Sequence, residues 1–300
     1  MTTVAILGCG YVGIALGETL LRDGTADRVV GVRRSDSGVD AMEAAGIEAI
    51  QGDVTTDSTL SALPDVDAVV FAASVGRGSE TTARELYVEG QETVLDQLCS
   101  RDDPPERYIY TSSTGVYGDH GGDWVDEETP LDPATERQQA LADAERLPQE
   151  SDIDATVVRF AGLYGPDRHR LERYLDGPVT EGVLNLTHRD DAAGAIAFLL
   201  DEDAARDDLL LVVDDEPVSK WELADWLATE CNEPTPPKQT KAERLADDSL
   251  SAGARQRLSA DKRCRNRKLR SLGYDLRYPT FREGYRTAIE EYTGTDTQDK

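Results

Sequence analysis

The sequence predicts an α/β chain whose core is a parallel, doubly wound sheet, and three observations carry that reading. Short β-branched runs alternate with helical stretches through the first half of the chain, the order that βαβ units produce. The first run, VAIL, passes directly into GCGYVG, which sets Gly8, Gly10 and Gly13 at the mouth of the amphipathic stretch YVGIALGETLL. A chain of 300 residues is long enough for one large or two modest domains with a substantial core.

Strands are predicted at 3–7, 28–33, 47–50, 66–72, 107–111 and 155–159, with helices between several of them. The first strand and the helix after it give a glycine-rich corner its meaning. Gly8 permits a tight turn, Gly10 lets the backbone approach a pyrophosphate, Gly13 lets helix and strand pack closely, and the helix N-terminus favours phosphate charge. Cys9, Tyr11 and Val12 complete the loop, Cys9 as a small neutral filler. This is the pattern of a Rossmann-type dinucleotide site; the alternative is a plain βα turn rich in small residues. The second strand ends in VVGVRRSD, so Arg33 and Arg34 stand where an adenosine ribose is met, and arginines there favour a 2'-phosphate over a free hydroxyl. NADP is therefore the expected cofactor, with NAD the alternative. Residues 79–99, from Ser79 to Cys99, read as one long helix whose stripe comes from ELYVEGQETVLDQL. Beyond residue 160 the rhythm loosens into a turn at YGPD, a helix from Arg189 to Leu200, a strand at 209–213 free to rejoin the sheet, and a helix from Val218 to Cys231. Residues 232–258 read as a mobile arm or a pair of surface helices. The division expected is 1–160 for the nucleotide-binding domain and 161–300 for a smaller substrate lobe.

Composition excludes several classes of partner. With 59 acidic and 32 basic residues the net charge is -27, spread along the chain, which argues against nucleic acid and anionic membranes. The lysines are confined to Lys220, Lys238, Lys241, Lys262, Lys268 and Lys300, and so acidic a surface suits high salt. Cys9, Cys99, Cys231 and Cys264 form no C-x-x-C pair, which fits a reducing cytosol. The apolar N-terminus lacks a basic region and is interrupted by Glu18, so a soluble cytoplasmic protein is expected. His120 lies among Asp119, Asp123 and Asp126, but their spacing matches no metal-ligand pattern, and no metal is expected.

Further strings carry a resemblance. GDVTTD places Asp53 and Val54 near an adenine, VVFAAS brings Ala72 and Ala73 beneath a cofactor, and YIYTSSTGVYG contains Ser112 and Ser113. With DWVDEETPLDP, VVRFAGLYGPDR and THRDDAAGAI, these strings in this order resemble the extended short-chain dehydrogenase/reductase family, the NAD(P)-dependent epimerase/dehydratase group, across nearly the whole chain. The resemblance implies that Ser113 bonds the reacting oxygen, that the substrate is a small polar molecule such as a nucleotide sugar, and that two copies pair as a homodimer. It also implies a Tyr-x-x-x-Lys pair, yet Arg137 occupies the tyrosine position and Leu141 the lysine position. Together with KRCRNRKLRSLGYDLRYPTFREGY, that departure resembles an atypical subgroup lacking the standard pair. A tyrosine of ordinary pKa ~10 works as an acid/base at neutral pH only beside a stabilising cation. The candidates to replace it are Tyr117, Tyr164 ahead of Arg168, and Arg137 as an electrostatic partner. His188 is expected at a hinge, and His169 between Arg168 and Arg170 either receives an anionic substrate or neutralises nearby carboxylates. Two functions stay open: an NADP-dependent oxidoreductase or epimerase, and a cofactor-binding sensor without turnover.

Overall fold

In the computed structural model, which describes residues 1–76 and 80–294, the first strand already assigns the layers. β1 (Thr3–Leu7) is buried throughout, and alternate residues serve opposite faces of the sheet: Val4 and Ile6 join one hydrophobic cluster, Ala5 and Leu7 the other. Six more strands complete the sheet: β2 (Arg28–Arg33), β3 (Glu48–Gln51), β4 (Ala68–Phe71), β5 (Arg107–Ser113), β6 (Asp154–Phe160) and β7 (Asp208–Val212). Their order is β7-β6-β5-β4-β1-β2-β3 and every pairing is parallel. The direction of winding reverses between β1 and β4, so a crevice opens beyond their carboxyl ends. The strand expected at 209–213 does return to the sheet, one residue earlier, with Leu210 paired to Val158.

Helices cover both faces. On one side lie α1 (Tyr11–Asp23), α2 (Asp36–Ala44) and a later helix, Arg189–Asp201, which packs on α1 through Ala192, Ala195 and Ile196. On the other lie α3 (Gly90–Cys99) and α4 (Glu136–Ala144), contributing Val94, Leu95, Ala140 and Ala144. The helix expected from Ser79 begins later. Ser79 itself lies outside the described residues, and helical winding is set by Thr82, whose Oγ1 accepts from the Glu85 N–H at 3.1 Å while Glu85 Oε2 accepts from the Thr82 N–H at 2.7 Å. Its first stretch, Glu85–Glu89, is wound as a π-helix before passing into α3.

A third cluster of Tyr164, Leu186, Val218, Leu223, Leu227, Phe281 and Tyr285 fills the C-terminal lobe. Short strand pairs bind it together, among them Leu186–His188 beside Gly162–Tyr164. The segment following residue 232 carries two short helices, Lys241–Leu245 and Ala252–Ser259, and then pairs Arg263–Cys264 with Trp124–Val125 of the sheet domain. Arginines of this tail meet carboxylates: Arg270 with Asp275 at 3.1 Å and Arg282 with Glu216 at 2.6 Å. Among the described residues no helix is long and apolar enough to cross a membrane.

Candidate nucleotide-binding cleft

The cleft at the winding reversal has a volume of about 800 Å³. Its floor is the glycine corner. Gly8 adopts φ +84°, a left-handed conformation that side chains resist, and a Cβ there would collide with the Ala73 backbone. Gly8 and Cys9 donate their N–H groups to Val32 O at 3.2 and 3.1 Å, which pins the corner to the end of β2. Helix α1 starts at Gly10 with no side-chain cap, so the first N–H groups of the helix open toward the cleft. A Cβ at Gly10 would strike the Arg33 guanidinium, and one at Gly13 would press on Ile6.

Arg33 reaches over this corner from the end of β2 and forms no ion pair with any described residue. Arg34 lies 3.5 Å from Asp53, which also accepts from the Thr55 N–H and Oγ1 at 3.0 and 2.8 Å. Partial burial opposes ionisation of Asp53, but the Thr55 donors and Arg34 outweigh it and hold the carboxyl below the usual range. Tyr11, Val12, Val54, Ala72, Ala73, Ser112, Ser113 and Arg137 also line the cleft. Ser112 Oγ is buried there without a hydrogen-bond partner among the described residues, an orphan that a ligand would satisfy. Ser113 Oγ accepts from Gly115 N–H at 3.1 Å, leaving its own hydroxyl hydrogen for a ligand. Tyr11 spans the cleft wall: its hydroxyl donates to Pro166 O at 2.9 Å, and Arg168 stacks 4.0 Å from its ring centre. Burial pushes the Tyr11 phenol up to about 12, partly offset by Arg189 and Arg168. The residues present therefore fit a dinucleotide, with a backbone cradle, an orphaned hydroxyl and an unpaired cation.

Three sequence candidates stand elsewhere. Cys9 is fully buried with its Sγ against the spaces at Gly13 and Gly31, and burial lifts its thiol to about 12, so it packs rather than faces the cleft. Tyr117 is fully buried; its hydroxyl donates to Asp126 O at 2.6 Å and accepts from Arg159 Nη1 at 2.6 Å. Tyr164 lies in the lobe core, stacked on Tyr285 with ring centres 5.2 Å apart, and burial raises its phenol far from any titration near neutrality. Beside it, His169 Nε2 meets Gly284 O at 3.0 Å. His188 caps its helix, Nδ1 accepting from the Asp190 N–H at 3.2 Å, while its ring lies against Tyr278. His120 packs edge-on to Tyr117.

Sequence reading missed Tyr87. Within ELYVEG it carries no motif and reads as part of an apolar stripe; the structure sets it in the cleft wall, its hydroxyl oxygen accepting from Arg137 Nη2 at 2.9 Å and Val75 N–H at 3.2 Å.

Comparison with known proteins agrees with this architecture. A family described as NAD(P)H-binding matches residues 8–203. Protein YeeZ of Escherichia coli K12 is 35% identical over 212 residues, covering 67% of this chain and 73% of that protein. The 3-diazoavenalumate denitrifying reductase of a Streptomyces species is 30% identical over 275 residues, covering 75% of this chain and 88% of that protein. The structure of dTDP-glucose 4,6-dehydratase DesIV from Streptomyces venezuelae, with NAD bound, superposes with a TM-score of 0.77 over 98% of both chains at 19% identity, a likeness of fold. The glycine corner at the winding reversal and the match across two thirds of the chain lead to one conclusion: this protein belongs to the NAD(P)H-binding family and has the fold of the extended short-chain dehydrogenase/reductase, or epimerase/dehydratase, group.

Proposed function

We propose that the protein is an NADP(H)-dependent oxidoreductase acting on a carbonyl or hydroxyl group of a small polar substrate. The observation that carries the reading is Arg33, a guanidinium over the glycine corner with no carboxylate partner among the described residues, in a chain of 59 acidic residues. A cation left unpaired beside a ribose position suits a 2'-phosphate. The N–H groups of Tyr11, Val12 and Gly13 would hold the pyrophosphate, Arg33 and Arg34 the 2'-phosphate, and Asp53 and Val54 the adenine. Ala72, Ala73 and Ser112 would flank the nicotinamide, which when bound supplies or accepts a hydride. Ser113 would bond the reacting oxygen. The Streptomyces relative's name supports reduction, and Arg168 on the cleft wall supports an anionic group on the substrate, such as a nucleotide sugar phosphate.

Fluorescence titration with NADPH and NADH tests the assignment. NADPH should bind at least tenfold more tightly, and Arg33→Ala should remove most of that preference while leaving NADH affinity nearly unchanged, since a hydrogen bond to a charged group contributes about 1.5 to 3 kcal/mol. Tighter binding of NADH overturns it. The absence of a Tyr-x-x-x-Lys pair favours the second reading, a sensor, which would bind NADPH without oxidising it in the presence of any carbonyl compound.

A further inference from the structure

We propose that Tyr87 is the proton donor of this cleft and that Arg137 is the cation serving it, so that phenol and cation come from two helices instead of one Tyr-x-x-x-Lys turn. The inference rests on the oxidoreductase reading. Its starting point is the hydrogen-bond inventory of one oxygen. Tyr87 Oη accepts from Arg137 Nη2 at 2.9 Å and from Val75 N–H at 3.2 Å, which uses both of its acceptor positions. Its own O–H has no acceptor among the described residues, although the tyrosine is only 3% exposed and lines the cleft. A hydroxyl so held has one direction left for its proton: the cleft.

The surroundings suit the product of proton transfer. A guanidinium does not deprotonate in proteins, so a phenolate at Tyr87 would face a permanent cation and a backbone N–H. Arg137 stands in the first turn of α4, whose Thr135 and Gln138 form a reciprocal cap, and Gln138 Nε2 also donates to Gly115 O at 2.8 Å. That bond ties α4 to the turn that follows Ser113. Val75 follows the end of β4, and Gln91 Nε2 donates to Ala144 O at 2.6 Å, locking α3 to α4. Tyr87 sits in the middle of the π-wound stretch Glu85–Glu89, a distortion that recurs at functional sites. Tyr87, Arg137 and Ser113 thus line one cleft on rigid supports.

In the reduction of a carbonyl, a bound dihydronicotinamide would supply the hydride, two electrons and one proton, to the carbonyl carbon. The carbonyl oxygen takes the Tyr87 proton and becomes a hydroxyl; the Tyr87 O–H bond breaks, its electron pair stays on the phenolate oxygen, and water in the open cleft returns a proton. Oxidation runs these steps in reverse.

The test uses the full chain with NADPH and 2,3-butanedione as the carbonyl probe. Tyr87→Phe should lower kcat by about 10²- to 10⁴-fold while NADPH affinity, read by fluorescence, stays within twofold. Arg137→Met should follow it, and Arg137→Lys should recover most of the loss because it restores the cation. In a crystal structure with NADP and 2-propanol, the alcohol oxygen should lie within hydrogen-bond distance of Tyr87 Oη. Turnover undiminished in Tyr87→Phe, or an alcohol bound away from Tyr87, overturns this assignment and leaves the oxidoreductase reading standing. NADPH binding by the wild type with no turnover overturns both.

Discussion

Arg33 and Tyr87 differ in how far a side chain's surroundings can be read from its neighbours in sequence. Arg33 ends a strand by position, and the glycine corner before it fixes what that strand end faces. Tyr87 depends on a partner 50 residues away, and no local pattern announces that meeting. His188 gives a further case with a measurable consequence. Its Nδ1 accepts a backbone N–H, which requires the neutral imidazole, and burial pushes its pKa down from 6.5 to about 4, against the pull of Asp190 and with help from His169, Arg189 and Arg277. The unfolded chain therefore binds more protons between these values, and stability falls as pH drops from 6.5 toward 4. The contribution at stake is roughly 2 to 3 kcal/mol. His188→Asn keeps a capping acceptor and removes the titration, so its thermal midpoint should fall less than that of the wild type over that window. Identical pH profiles would refute the argument.

At the scale of elements, α4 is anchored by a buried ion pair. Arg159 of β6 donates to both oxygens of Glu145, just past α4, at 2.9 and 2.6 Å, and its remaining arm holds Tyr117. Both charged residues are under 5% exposed. Removing one partner strands the other charge, so Glu145→Ala should destabilise the fold by about 3 to 5 kcal/mol, measured by denaturant unfolding. A loss below about 1 kcal/mol would place the pair among weak surface bridges. This pair explains why Tyr117 is structural in role: it completes the core beneath the Ser113 turn and has no surface toward the cleft. The late start of the helix before α3 has a similar local reason, because Thr82 and Glu85 cap one another and end the preceding segment.

For the whole molecule the net charge of -27 dominates. Self-repulsion of that size weakens a compact state at low ionic strength, and salt shortens its reach from about 10 Å at 0.1 M to about 3 Å at 1 M. The thermal midpoint should therefore rise by several degrees between those two potassium chloride concentrations. A midpoint that falls with salt would mean that the ion pairs of Arg270, Arg282 and Lys241 outweigh the repulsion.

The doubly wound sheet, the glycine corner and the arginine beside it were decided by sequence alone, because each depends on backbone geometry or on a hydrophobic period that neighbouring residues set. Only tertiary structure decided which groups share the cleft. It buried Tyr164 against Tyr285, returned residues 208–212 to the sheet, and joined Tyr87 to Arg137. Those contacts arise from the packing of elements distant along the chain, and a side chain's partner across such an interface is fixed by the shape of the whole core.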